Sequence, residues 1–174
     1  MKNQTSLLAI DPGLREIGFA HFIGRELVDH GVKSMRRPNR RPVDVLTQTM
    51  NRLLTEKTPE IVVIATNSFS QIQQNLPVMI AIQRIRAIAR RHGVTVYEFA
   101  SNTIKKEVTG DGRATKRAIA KVICAQFPEL RPYFGSNCRW RERYYQNMFD
   151  AVAVGLTYLA VAKQSKLSHY ALTQ

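Results

Sequence analysis

The chain has 174 residues, 44% of them hydrophobic and 22% charged, which is enough apolar material for a core in a single domain over 1–174 and excludes a disordered basic tail. Lys and Arg number 26 against 13 Asp and Glu, a formal charge of +13, so a polyanion is the expected partner, nucleic acid first. No apolar run reaches the ~18–20 residues that cross a bilayer, and the start of the chain has no signal-peptide pattern, so no membrane role is expected.

Ser6 to Ile10 is an apolar run closed by Asp11-Pro12-Gly13 and predicts a buried strand ending at a turn. Ile17 to Ile23 and Glu26 to Lys33 predict two more strands, so the chain opens as an antiparallel meander. A basic loop follows, with Arg36, Arg37, Arg40 and Arg41 around Pro38-Asn39. Val43 to Leu54 has helical spacing. The β-branched run Glu60 to Ile64 predicts a central strand parallel to the first. Ser68 to Asn75 is polar and turn-like. Leu76 to Arg91 predicts a helix stopped by His92-Gly93, and Val94 to Phe99 a fifth strand. Ser101 is the expected cap of a helix to about Val108. After the loop 109–113 come a helix over Ala114 to Phe127, an irregular stretch from Pro128 to Arg139, and a long helix from Arg143 to Lys163. The order predicts an α/β fold, one mixed five-stranded sheet with helices on both faces. His21, His30 and His92 have structural explanations. Cys124 and Cys138 lack metal or disulfide spacing and predict reduced thiols in a cytoplasmic protein.

Two carboxylates are poorly explained by packing. Asp11 ends a hydrophobic strand, where it either starts an Asx-turn or serves as a metal ligand or phosphate-site acid. Asp150 lies in the most apolar part of the last helix. There a buried carboxylate costs several kcal/mol unless it is paired or metal-bound. Asn147, three residues earlier, shares its face.

The segment Ile10-Asp11-Pro12-Gly13-Leu14-Arg15, with Gly18 behind it, resembles the first motif of the RuvC-type Holliday-junction resolvases. Ile61 to Ile64 with Phe69 is similar to the second motif. Lys105, Lys106 and Gly110 to Lys116 look like the basic loop and the helix after it, and Asn147 to Leu156 looks like the final acidic helix. The resemblance runs from about Ser6 to Ala162. It implies a ribonuclease H-like fold and a homodimeric nuclease that uses Mg²⁺, or Mn²⁺ in its place, on four-way or branched DNA. The stretch Trp140 to Tyr144 and the loop before it depart from the short bacterial form and suggest a divergent, phage-type member.

The family's site has four acids. The first maps to Asp11 and the fourth to Asp150. The second is a Glu where this chain has Ala65, and the third is an acid where it has Asn147. Two divalent ions about 3.5–4 Å apart need more negative charge than Asp11 and Asp150 supply. Asn147 still offers a carbonyl oxygen, whereas Ala65 offers nothing. An Ala there marks a variant inactivated to hold DNA uncut, or else a natural non-cutting relative. Glu142 lies about 12 Å along the helix from Asp150, too far to replace the missing ligand.

Arg36, Arg37, Arg40 and Arg41 form one basic group. Lys105, Lys106, Arg113, Lys116, Arg117 and Lys121 form another, and Arg139, Arg141 and Arg143 a third. Such residues position DNA through its phosphates without reading sequence. Lys116, beside the Gly-rich loop at a helix start, is the candidate for the scissile phosphate. Phe69 is the candidate for stacking on an unpaired base at the branch point. Trp140 and Tyr144 either anchor the last helix or stack on DNA. The expected function is a structure-selective junction endonuclease. The alternatives are a non-catalytic branched-DNA-binding protein and an RNA-processing nuclease on the same scaffold.

Overall fold

A computed structural model describes residues 4–66, 76–135 and 139–164, the side chains of 139–142 excepted. β1 (Ser6–Asp11), β2 (Glu16–Ile23) and β3 (Glu26–Ser34) form the expected antiparallel meander. α1 (Pro42–Lys57) crosses to β4 (Ile61–Thr66), which pairs parallel to β1. α2 (Leu76–Arg91) crosses to β5 (Thr95–Ala100), parallel to β4. The sheet order is β3-β2-β1-β4-β5. α3 (Ser101–Thr109), α4 (Lys116–Gln126) and α5 (Arg139–Lys163) complete the fold.

Alternation along each strand divides the core in two. Leu7, Ala9, Ala20, Phe22, Val63 and Phe99 face α3, α4 and α5, with Met148, Val152 and Val161 among their neighbours. Leu8, Ile10, Phe19, Val62, Ile64 and Val96 face α1 and α2. Each fully buried side chain of this size contributes about 1.5–3 kcal/mol relative to exposure. The meander is thereby sandwiched, and the central strands β1 and β4 are apolar on both sides.

Several element ends differ from the sequence reading. α1 starts at Pro42, because proline suits the first helical position, where its missing N–H is no loss. Ser101 is the first helical residue of α3, and the extended Ala100 is its cap, without a side-chain bond. α4 starts at Lys116, since the Thr115 side chain accepts from the Ala118 N–H at 3.2 Å. Pro128–Tyr133, expected to be irregular, is a 3₁₀ turn that buries Leu130. α5 begins at Arg139, four residues before the expected start.

Two glycines let α5 lie directly on β2. A Cβ at Gly18 would sit 1.8 Å from the Asn147 main-chain oxygen, and one at Gly155 would sit 2.3 Å from the Phe22 ring. The helix is therefore seated by backbone against strand at one point and by backbone against an aromatic ring at another.

Candidate functional site

The carboxyl ends of β1, β4 and β5 share one rim of the sheet, where parallel strands present ligand groups. Asp11 is the last residue of β1 and is half-buried. Its backbone pairs with Gly18, the residue on which the Asn147 backbone rests. The close seat of α5 thus brings the turn of helix from Asn147 to Asp150 over the end of β1.

Asp150 is held from both sides. Its Oδ2 accepts from Lys116 Nζ at 2.5 Å, and its Oδ1 accepts from Gln146 Nε2 at 2.9 Å. Lys116 is largely exposed, whereas Asp150 is 17% exposed, so the ammonium caps the carboxylate from the solvent side. Burial pulls the Lys116 ammonium down, but the Asp150 carboxylate, with Asp11 behind it, outweighs burial and leaves it raised. Burial, reinforced by the Asp150 charge and opposed by Lys116, pushes the Asp11 carboxyl up to about 8. Two carboxylates converge here with one cation between them and water.

Position 65 lies beside Asp11. Ile10 is level with Ile64 across the parallel pair, so the next residues, Asp11 and Ala65, are neighbours about 4.8 Å apart along the ladder. Ala65 packs against the same core as Ala9 and Phe99, the side that α5 covers. A longer side chain at 65 would project from the same face of the sheet as Asp11, the face that α5 covers, and Thr66 turns to the opposite face. Glu98 does not supply the missing acid. It is level with Ile64, on the α2 side of the sheet, and it grips Arg86, whose Nη2 donates to Glu98 Oε2 at 2.5 Å.

No cluster of three or more His, Cys, Asp or Glu that would hold a metal ion occurs among the described residues. The oxygens at hand are the Asp11 and Asp150 carboxylates, and Asn147, one turn before Asp150, lines the adjoining cavity with Lys116 and Gln146. All are hard donors suited to a divalent cation, and the proton retained on Asp11 follows first from its burial and then from the Asp150 charge, which Lys116 offsets only in part. The set suits one cation and falls short of two.

Of the expected basic residues, Arg36, Arg37, Arg40 and Arg41 lie between β3 and the start of α1. Arg41 pairs with Asp44 at 2.8 Å and Arg40 Nη1 donates to Gln48 Oε1 at 2.7 Å. Lys105 and Lys106 are on α3, which continues directly from the rim end of β5. Arg113 and Lys121 are exposed, and the Arg117 guanidinium lies 5.7 Å from the Phe134 ring centre. Phe69, Cys138 and the side chains of Arg139, Trp140, Arg141 and Glu142 lie outside the described residues. Tyr144 acts as an anchor: its hydroxyl donates to the Val32 carbonyl at 3.5 Å, tying α5 to β3. His21 bonds the Ser6 hydroxyl at 2.9 Å and His92 bonds Asn51 at 2.9 Å, as structural residues do. The sequence reading missed Gln146. Its position four residues before Asp150 is the signal that would have found it.

The raised Asp11 carboxyl has a consequence for stability. The folded protein holds this proton up to about pH 8, whereas an unfolded Asp releases it near 3.8. The folded state therefore binds more protons between those limits, and stability falls as pH climbs through the window. In chelator, Asp11→Asn is expected to raise the melting temperature at pH 8 and to flatten its decline from pH 4 to pH 8. Thermal melts across that range check it, and an unchanged slope would show that Asp11 titrates normally.

No helix among the described residues is long and apolar enough to cross a membrane. The family model described as crossover junction endodeoxyribonuclease RuvC matches residues 7–128. A protein of that name from Protochlamydia amoebophila is 28% identical over 130 residues, covering 71% of this chain and 77% of its own. Its counterpart from Akkermansia muciniphila is 28% identical over 167 residues, covering 92% and 93%. Among solved structures, Thermus thermophilus RuvC in complex with a Holliday junction substrate superimposes with a TM-score of 0.74 at 21% identity, covering 97% of this chain and 99% of that one. The family model spans both motif strands, the basic loop and α4, more than half of the chain, and the chain belongs to the RuvC family of crossover junction endodeoxyribonucleases.

Proposed function

We propose that this chain acts in the cytoplasm as a structure-selective endonuclease on four-way or branched DNA, as one domain over 1–174, with its cutting weakened by Ala65. The observation that carries the reading is the convergence of Asp11, Asp150 and Lys116 at one rim of a strongly basic protein. Asp11, Asp150 and Asn147 would hold Mg²⁺, with Mn²⁺ able to substitute. When bound, such an ion supplies Lewis-acid stabilisation of the phosphodiester and an acidified water. Lys116 offers its ammonium to the scissile phosphate, and the amino end of α4 adds its dipole. Gln146 keeps Asp150 aimed at the centre. Arg36, Arg37, Arg40, Arg41, Lys105, Lys106, Arg113 and Arg117 contact phosphates, and Phe69 stacks at the branch point.

Ala65 itself favours a second reading, a branched-DNA-binding protein that holds without cutting. The two are separated by incubating labelled four-way junction with the chain and Mg²⁺ or Mn²⁺, alongside competition by linear duplex and structured RNA. Preferred binding of the junction with slow paired nicks supports the nuclease. Preferred binding with no nick under any metal supports the holding protein. Stronger competition by RNA overturns both.

A symmetric dimer belongs to the proposal, since paired nicks on two-fold related strands need two sites related by the same axis. The sequence points to Met79, Ile80, Ile82 and Ile85 as surplus apolar residues on α2. Ile82 and Ile85 are in the core, and the exposed apolar side chains are Leu76, Met79 and Ile80. These three line one shallow cavity with Val43 and Ala87. Ile80→Glu is expected to convert a dimer into a monomer in sedimentation at tens of micromolar, with little change in melting temperature. A monomeric parent chain would remove the dimer from the proposal.

A further inference from the structure

A second cationic cleft opens at the free edge of the sheet, away from Asp11 and Asp150. It has a volume of about 710 Å³ and is lined by Lys33, Arg37, Arg40 and Arg52, with Gln48 and Tyr144 among its walls and no acidic residue. Glu56 and Asp44 pair with Arg52 and Arg41 from outside the lining. Arg40 is oriented by Gln48, and the Lys33 ammonium lies 5.1 Å from the Phe19 ring centre, so two of the four cations are already placed. Glu56 offsets Arg52 from outside the lining, which leaves an excess of positive charge around one concave space that an anion seated there would relieve.

The register of the sheet places this cleft relative to the candidate site. Asp11 is level with Gly18, and Gly18 is level with Val32, which lines the cleft. Two strand spacings of about 4.8 Å separate Asp11 from Val32, roughly 10 Å. Lys33 lies beside Phe19, so the cleft is on the face that α1 covers, and Tyr144 reaches it around the β3 edge from the helix that carries Asp150; a DNA strand joining the two places runs over the rim of the sheet.

We propose that this cleft holds the sugar–phosphate backbone of the DNA strand whose scissile phosphate lies at Asp11 and Lys116, and holds it one or two phosphates away. The proposal rests on the junction-binding reading above and adds a fixed strand path to it. Phosphates in one strand of a duplex rise about 3.4 Å each along the axis, and the winding of the backbone nearly doubles their separation, so a 10 Å offset corresponds to one or two of them. Lys33, Arg37, Arg40 and Arg52 each face that backbone. The cleft sets which phosphate reaches the metal ligands, because a strand gripped at one point cannot slide at the other.

The test is methylphosphonate interference with the full chain. Single neutral phosphates are walked along each strand of a four-way junction, and binding is read by fluorescence anisotropy. The parent chain, Lys116→Ala and Lys33→Ala/Arg37→Ala/Arg52→Ala are compared. Arg90→Ala/Arg91→Ala, at the amino end of β5 and hence the opposite rim, is the control. The position whose effect disappears in Lys116→Ala marks the scissile phosphate. The position whose effect disappears in the triple variant marks the cleft, and the expected separation is one or two phosphates on one strand. The triple variant is also expected to lower the salt slope of binding by about 2–3, the control by much less. Junction binding unaffected by the triple variant, as for a cleft that takes an acidic peptide, would overturn the cleft alone. So would a loss with no preferred position. A parent chain with no affinity for DNA would overturn both the cleft and the function proposed above.

Discussion

Ala65→Glu is expected to raise the rate of junction cleavage in Mg²⁺ on the order of 10²–10³-fold. The reasoning starts from the register: position 65 is beside Asp11 and faces the side that α5 covers. A carboxylate placed there adds a third anionic oxygen donor to a set that suits only one cation at present. Charge stabilisation by a properly bound cation is worth several kcal/mol at the transition state, and each 1.36 kcal/mol is tenfold in rate. The same substitution has an opposite effect without metal. A third carboxylate beside Asp11 and Asp150 adds like charge where burial, with the Asp150 charge behind it, already holds a proton on Asp11. Ala65→Glu should therefore lower the melting temperature in chelator and regain it when Mg²⁺ is added, whereas the parent chain shows a smaller metal response. Single-turnover cleavage and paired melts read both halves. If the variant binds junctions normally, shows the metal-dependent melt and still does not cut, position 65 is not where the missing acid acts.

Gly18→Ala has the largest expected cost to the fold. The added methyl would lie 1.8 Å from the main-chain oxygen of Asn147, which cannot rotate away as a side chain can. Overpacking in a close-packed region costs about 1–3 kcal/mol, and a backbone obstacle places this substitution at the upper end. For a chain of this size about 3 kcal/mol corresponds to a fall of roughly 6–12 °C in melting temperature. The displaced helix would carry Asp150 away from Asp11, so cleavage by Ala65→Glu/Gly18→Ala should fall more than its stability implies. Gly93→Ala is the comparison. No atom lies within 4 Å of an added Cβ there, although the backbone is left-handed at φ +68°, so its cost is local and leaves the site intact. A Gly18→Ala protein that melts with the parent would show that α5 adjusts freely on β2.

Much of this arrangement is legible in the residues, and the exceptions have physical reasons. The five strands follow from short apolar runs bounded by turns, and the two-sided burial of β1 and β4 follows from their unbroken hydrophobicity. Asp11 and Asp150 stand out because each interrupts an apolar context. The start of α5 differs because Arg139 to Glu142 mix aromatic with basic side chains and show no apolar periodicity, although Ser136 and Asn137 just before them are of the capping type. Ile82 and Ile85 looked surplus because a helix against one sheet face needs only a narrow stripe. α2 packs against α1 as well as the sheet, and a helix with two neighbours buries a broader one. Gln146 was passed over because an amide on a polar helix turn has no distinctive pattern until its partner is known. The cleft at the β3 edge is illegible in principle: Lys33, Arg37, Arg40 and Arg52 belong to a strand, a loop and a helix, and only the sheet edge gathers them.

The two carboxylates of the site come from the first strand and the last helix. A chain emerging from the ribosome folds from its amino end, and it can pair β1 to β5 before α5 exists to dock on β2. During that interval most of the basic surface is already displayed, while Asp11 has neither Asp150 beside it nor Lys116 held in place by it. The nascent chain thus carries most of its positive charge before its two carboxylates are brought together.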